Sequence, residues 1–162
     1  MGGSGDWSDP SHWALTSGGV SAGVAPDQDN RIIVDENSFS ADNEWISLSG
    51  NASIGSITWL NKEQTGLNLN GHALTVRRNL ILPSDKVSVS SVGKIILDGT
   101  LNSENKVVAN NNDFSKVDID VSANSIVDFG GGLWVNSINL ISGTLNLVDA
   151  SLKVGLLKVN GA

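Results

Sequence analysis

The feature that most constrains this chain is the stretch GLNLNGHALTVRRNLIL at residues 66–82. It holds three apolar pairs, Leu67/Leu69, Leu74/Val76 and Leu80/Leu82. The members of each pair stand two residues apart, so in a strand both face the same side. Asn70-Gly71-His72 separates the first pair from the second, and Arg77-Arg78-Asn79 the second from the third. The Asn-Gly break suits a sharp change of direction, since both residues tolerate left-handed backbone conformations. Too few residues lie between the pairs for the crossover helix that joins parallel strands in α/β proteins. A chain that bends at each polar break and keeps winding the same way brings all three pairs to one axis. That is one coil of a β-solenoid.

The same alternation runs from Glu44 to the end of the chain. Ile54 and Ile57–Leu60 precede the organising stretch. Val87/Val89, Ile95/Leu97, Val117/Ile119/Val121, Leu133/Val135, Ile138/Leu140, Leu145/Leu147 and Leu152/Val154 follow it. Residues 61–65, 83–85, 98–99 and 110–113 read as polar turns, and Asp128-Phe129-Gly130-Gly131-Gly132 as a wide one. Corresponding strands recur about every 20–25 residues, within the range of solenoid repeats. No segment carries a helical apolar period. The expected fold is all-β: a parallel β-helix (β-solenoid) over residues 32–162 with a loop-rich N-terminal cap over residues 1–31. Leu69, Leu74, Val76, Leu80, Val87, Val89, Ile95 and Leu97 are expected to point inward. Alternation still runs at Val159, so the coils are expected to continue beyond the C-terminus in a longer parent protein. The alternative is an antiparallel β-sandwich, which also has short strands at regular spacing. Asp98-Gly99 would serve it as a hairpin turn. Most other breaks lack hairpin chemistry, which favours the solenoid.

Composition fits a narrow aliphatic interior. Of the 162 residues, 40% are hydrophobic, yet there is no tyrosine and only three phenylalanines and one methionine. The absence of cysteine excludes a thiol nucleophile, disulfides and thiolate metal sites. A net charge of −7 argues against nucleic acid and anionic membrane as partners, because phosphate binding needs clustered Lys and Arg. The one adjacent basic pair, Arg77-Arg78, reads as a solvated turn. No apolar run approaches the ~20 residues of a membrane-spanning helix. MGGSGDWSDP has neither the basic start nor the apolar stretch of a signal peptide. A secreted protein of this sequence would therefore be a mature or excised form.

The first 31 residues lack alternation but carry Trp7 and Trp13 in a polar setting. The structural reading is that these indoles close the open end of the apolar column, because a solenoid must cover its terminal layer and strand edges. The functional reading is an aromatic platform for sugars. Asp27, Asp29 and Asp35 are candidate ligands for a structural calcium ion. Their spacing departs from the calcium-loop pattern, which makes solvated turn aspartates the simpler reading.

Gly5-Asp6-Trp7-Ser8-Asp9, His12-Trp13, Pro26, Asp29 and Ile32-Ile33-Val34 together resemble the opening of large secreted bacterial surface proteins, the autotransporter-like and Bacteroidota adhesin-like ones. Asn51–Ile57 and Leu67–Val76 are similar to their first coils. The resemblance spans roughly residues 2–82. It implies a capped β-helix, secreted or held at the cell surface, and it supplies no catalytic residues.

Asp118 and Asp120 flank Ile119, so both project from one strand face. Paired carboxylates on a β-helix face can hydrolyse polysaccharides. No further acid, base or substrate clamp accompanies them, and outward-facing polar residues explain the spacing equally well. His12 and His72 lie far apart in loop-like contexts. The expectation is a non-enzymatic scaffold or stalk with adhesive use, without cofactor or catalytic residues, whose partners are glycans or a host or neighbouring surface. The alternative is a carbohydrate-binding or carbohydrate-active β-helix, with Trp7, Trp13, Asp118 and Asp120 as ligand candidates.

Overall fold

In the computed structural model the described residues are 3–60, 64–82, 87–90, 92–98, 104–108, 112–122, 126–148 and 151–160. The organising stretch forms one turn around a column. Its strands are β6 (Thr65–Asn68), β7 (Ala73–Val76) and β8 (Leu80–Ile81), one on each of three faces. On the first face β6 lies between β3 (Trp45–Ser47) and β9 (Val87–Ser90), and β1 (Gly5–Asp6) precedes β3. On the second, β7 follows β4 (Ala52–Ile54) and precedes β10 (Gly93–Asp98), β12 (Asp113–Ser122), β14 (Leu133–Leu140) and β16 (Leu152–Val159). On the third, β2 (Arg31–Val34) and β5 (Ser56–Trp59) precede β8. There β11 (Glu104–Val108), β13 (Ile126–Gly130) and β15 (Thr144–Val148) follow it.

Every pairing between these strands is parallel. The chain is a β-solenoid of about five turns, and the sandwich alternative is set aside. Among the described residues the antiparallel contact is an isolated bridge, Ala14 to Ser21, and the helical content is one 3-10 turn at Pro10–His12.

Register stacks like on like along the axis. Leu74 pairs with Ala52 and Ile95, Ile95 with Ile119, and Ile119 with Ile138. All eight residues expected to face inward are buried, the most exposed being Val89 at 6%. Removing such a side chain from water stabilises the fold by roughly 1.5–3 kcal/mol each. At the corner after β6, Asn70 and Gly71 both take positive φ, 49° and 81°. This corner also ties rungs together. Asn70 Nδ2 donates to the Leu48 carbonyl at 3.0 Å, and Asn51 Oδ1 accepts the Ala73 amide at 2.9 Å, each 22 residues away. Backbone groups that the turn removes from the ladders thereby find partners.

Further along, the corner tightens. The first and second faces become continuous in β12, β14 and β16, and inward positions stand three apart at the bend. Phe114 and Val117, Val135 and Ile138, and Val154 and Leu157 mark it. The rung-to-rung offset falls accordingly, from 22 residues between Asn51 and Ala73 to 19 between Asp118 and Ser137.

Three local readings differ from the sequence expectation. Thr65 was expected in a polar excursion, but it opens β6, is buried, and its hydroxyl accepts the Trp59 indole N–H at 3.2 Å. Asp128-Phe129-Gly130 belong to β13, paired on both sides, and the turn is confined to residues 131–132, with Gly131 at φ 76°. Ladder neighbours on two sides override the glycine preference there. Asn112 was expected in a loop, but it is buried, and its Oδ1 accepts the Val87 amide at 2.9 Å. The turns expected at 83–85 and at Gly99 lie outside the described residues. No described helix is long and apolar enough to cross a membrane.

The ends of the column differ. At the N-terminal end, β1 adds a strand to β3 and Trp7 packs into the core. At the C-terminal end, Leu157 and Val159 on β16 are 49% and 63% exposed, although their register partners Ile138 and Leu140 sit in or against the core.

Candidate functional site

The cap is built around the two tryptophans. Trp7 is only 5% exposed, and its amide donates to the Ser47 carbonyl at 2.8 Å. Trp13 is partly buried against the core. Its Nε1 donates to the Trp7 carbonyl at 2.8 Å, and the rings meet edge-on with centroids 5.3 Å apart. Asp6 fastens this unit to the next rung. Its Oδ1 accepts from the Ser8 amide and hydroxyl at 2.7 and 2.6 Å and from Ser49 Oγ at 2.9 Å. These bonds, Ser8 foremost, hold the Asp6 carboxyl below the ordinary range. Asp9 caps the 3-10 turn by accepting the Ser11 amide at 2.9 Å, and its carboxyl is likewise lowered, chiefly by Ser11.

Between the cap and β2 lies a cavity of about 300 Å³. His12, Trp13, Leu15, Arg31, Asp35 and Asn37 are among the residues lining it. Of the two candidate sugar-platform residues, Trp7 is enclosed and Trp13 lines this space. Asp35 is held below the ordinary carboxylate range by hydrogen bonds, first from Ser17, with the Asn37 amide and Ser38 hydroxyl adding to it.

The calcium candidates do not converge. Asp27 and Asp29 precede β2 and Asp35 follows it, so a full strand lies between them. Asp27 Oδ1 accepts the Asp29 amide at 3.0 Å, and Asp35 Oδ1 accepts the Asn37 amide at 3.0 Å. Each thus braces its own turn. Among the described residues no three acidic or histidine side chains form a group that could hold a metal ion.

Asp118 and Asp120 do share the outer side of β12, as alternation requires, but each is tied to neighbouring rungs. Asp118 Oδ1 accepts from Asn136 Nδ2 at 2.8 Å and Ser137 Oγ at 2.6 Å. Asp120 Oδ2 lies 2.8 Å from Lys94 Nζ, and its Oδ1 accepts from Asn139 at 3.4 Å. Asn139 Oδ1 in turn accepts from Asn160 at 2.7 Å. Asp120 is only 9% exposed, so its carboxylate is a member of an inter-rung polar ladder. The same contact raises the Lys94 pKa, with Asp120 the leading cause. Lys94 stands 26 residues from Asp120, beyond the reach of local sequence inspection.

The adjacent arginines part company. Arg77 Nε lies 3.9 Å from Asp98 Oδ2, whereas Arg78 lines a cleft with Arg31 on the third face. His72 sits at the corner before β7, where its carbonyl accepts the Lys94 amide, two rungs beyond His12. Sequence inspection also passed over Trp134. It is 47% exposed on the outer side of β14, with Lys153 Nζ 4.0 Å above its ring. The alternation Leu133-Trp134-Val135 was the available signal, because it places the indole outside. Comparison with protein-family models, with curated proteins and with solved structures finds no match to this chain.

Proposed function

We propose that this chain is a non-enzymatic β-solenoid segment of a secreted or surface-attached protein, a stiff scaffold that holds adhesive regions away from a cell. The observation that carries this reading is the hydrophobic column, mostly aliphatic, with polar side chains outside it that bond from rung to rung. The acidic pair Asp118/Asp120 belongs to that cladding, which leaves it with a structural task. A carbohydrate-binding reading is favoured by a different observation, the cavity beside Trp13.

Antibody labelling and protease shaving of intact producing cells test the display. Labelling before lysis is expected, and labelling only after lysis would overturn it. Polysaccharide turnover by the pure protein that Asp118→Asn abolishes would overturn the non-enzymatic part.

A further inference from the structure

We propose that the outer surface of the first rungs, around Arg31 and Arg78, binds an acidic saccharide, a sugar ring bearing a carboxylate or a sulfate. The two arginines line one cleft on the third face, together with Ile33, Ser56, Thr58 and Asn79. Register explains their meeting. Arg31 on β2 is the partner of Ser56 on β5, and the Asn79 amide of the next rung donates to Ser56 Oγ at 3.4 Å. Gly55 is required by the Asn30 carbonyl, which a Cβ there would strike, and the Arg78 guanidinium lies beside it, 3.3 Å from that position.

Among the described residues neither Arg31 nor Arg78 has an ion-pair partner, although the chain carries a net charge of −7. Arg31 is exposed and Arg78 half-buried, so both guanidinium groups stay accessible to an anion from solvent. Two guanidinium forks beside a serine and a threonine suit a planar carboxylate or a sulfate, which each fork can grip with two hydrogen bonds.

The second half of the ligand follows from the neighbouring cavity. Arg31, Ile32 and Ile33 line both spaces, so the cationic cleft and the cavity beside Trp13 adjoin along β2. The only polar atom of the Trp13 side chain is committed to the Trp7 carbonyl, so the indole offers that cavity carbon surface alone. Such a surface suits the C–H face of a pyranose ring, and Thr16, Asp35 and Asn37 on the same wall suit its hydroxyls. About 300 Å³ lies at the lower end of small-ligand pockets, enough for a terminal sugar unit. A bare inorganic anion would use the cleft and leave the aromatic wall idle. A nucleic acid would need a wider basic surface than two arginines on an acidic chain.

The proposal goes beyond the scaffold reading, and its test uses the purified full chain, so its outcome does not depend on where the protein is displayed. Calorimetric titration and amide chemical-shift mapping would be run with trigalacturonate, a sulfated chondroitin tetrasaccharide, neutral maltotriose and inorganic sulfate. Saturable binding of at least one acidic saccharide is expected, with shifts centred on residues 12–19, 31–35, 56–58 and 78–79. Trigalacturonate binding would identify the anion as a carboxylate; binding of the chondroitin tetrasaccharide, which carries both carboxylate and sulfate, with no binding of trigalacturonate would identify it as a sulfate. Maltotriose should bind at least about tenfold more weakly. Arg31→Ala and Arg78→Ala should each weaken the acidic saccharide about tenfold or more while the melting temperature holds. Trp13→Ala should weaken the saccharide and spare inorganic sulfate. Asn37→Ala, an exposed change on the same wall, provides the saccharide reading if Trp13→Ala fails to fold. Absence of saccharide binding, a response to inorganic sulfate alone, equal binding of maltotriose, or arginine variants that bind like the parent would each overturn the proposal.

Discussion

Leu74 shows what a single side chain contributes to a column of this kind. It is fully buried and lies in register between Ala52 and Ile95 on adjacent rungs. Leu74→Ala leaves a cavity that neither rung can close without breaking its ladder, so a loss of about 2–5 kcal/mol is expected in urea denaturation. A loss under about 0.5 kcal/mol, the size of a surface effect, would contradict the inward assignment. Such inward positions were legible in the sequence because a strand has period two, and one face of every strand had to be aliphatic. The outward contacts were not legible. Gly66 carries no visible reason in the sequence, yet a Cβ there would stand 2.2 Å from the Trp45 ring and 2.7 Å from the Ser88 carbonyl. Trp45 lies across the glycine of the next rung, a relation that depends on register and not on local pattern.

The cap is the element in which charge matters most. Asp6 and Asp9 in the cap, and Asp35 and Glu44 between β2 and β3 beside it, all have lowered pKa values, led respectively by bonds from Ser8, Ser11, Ser17 and the Ala41 amide. A lowered folded-state pKa contributes stability that is present above the unfolded value and lost as pH falls through the folded one. The cap should therefore loosen before the coils as pH falls below about 4. Hydrogen exchange of the Trp7 and Trp13 amides, compared with that of the Leu74 and Ile95 amides, measures it; equal loss of protection would refute the ordering. Lys94 works in the opposite sense: its raised pKa keeps the bond to Asp120 intact until strongly alkaline pH. Deleting residues 1–31 removes β1 from β3 and Trp7 from the core. The truncated chain should melt lower and self-associate through the bared edge of β3. Light scattering that shows an unchanged monomer with unchanged melting would refute this role. The tryptophans made the cap visible in the sequence, but nothing there showed that Gly5–Asp6 forms a strand, because two residues give no period to read.

For the whole molecule, the parallel solenoid was legible from the spacing of strands, and the placement of its sites was not. Corners vary in length: register offsets between successive rungs of the second face include 22, 21, 24 and 19 residues. A residue's neighbours across the axis therefore follow from the sum of earlier turns. Lys94 meeting Asp120 and Arg31 meeting Ser56 are both results of that sum. Finally, because all three faces are parallel ladders stacked along one axis, tension applied to the two ends pulls across the strands. Hydrogen bonds then open at one end at a time instead of failing together. A rung of 22 residues releases about 70–80 Å of chain when it opens. Held between two surfaces, the column would thus be rigid under compression and would yield in discrete steps under load, dissipating work at each step before the next rung is exposed.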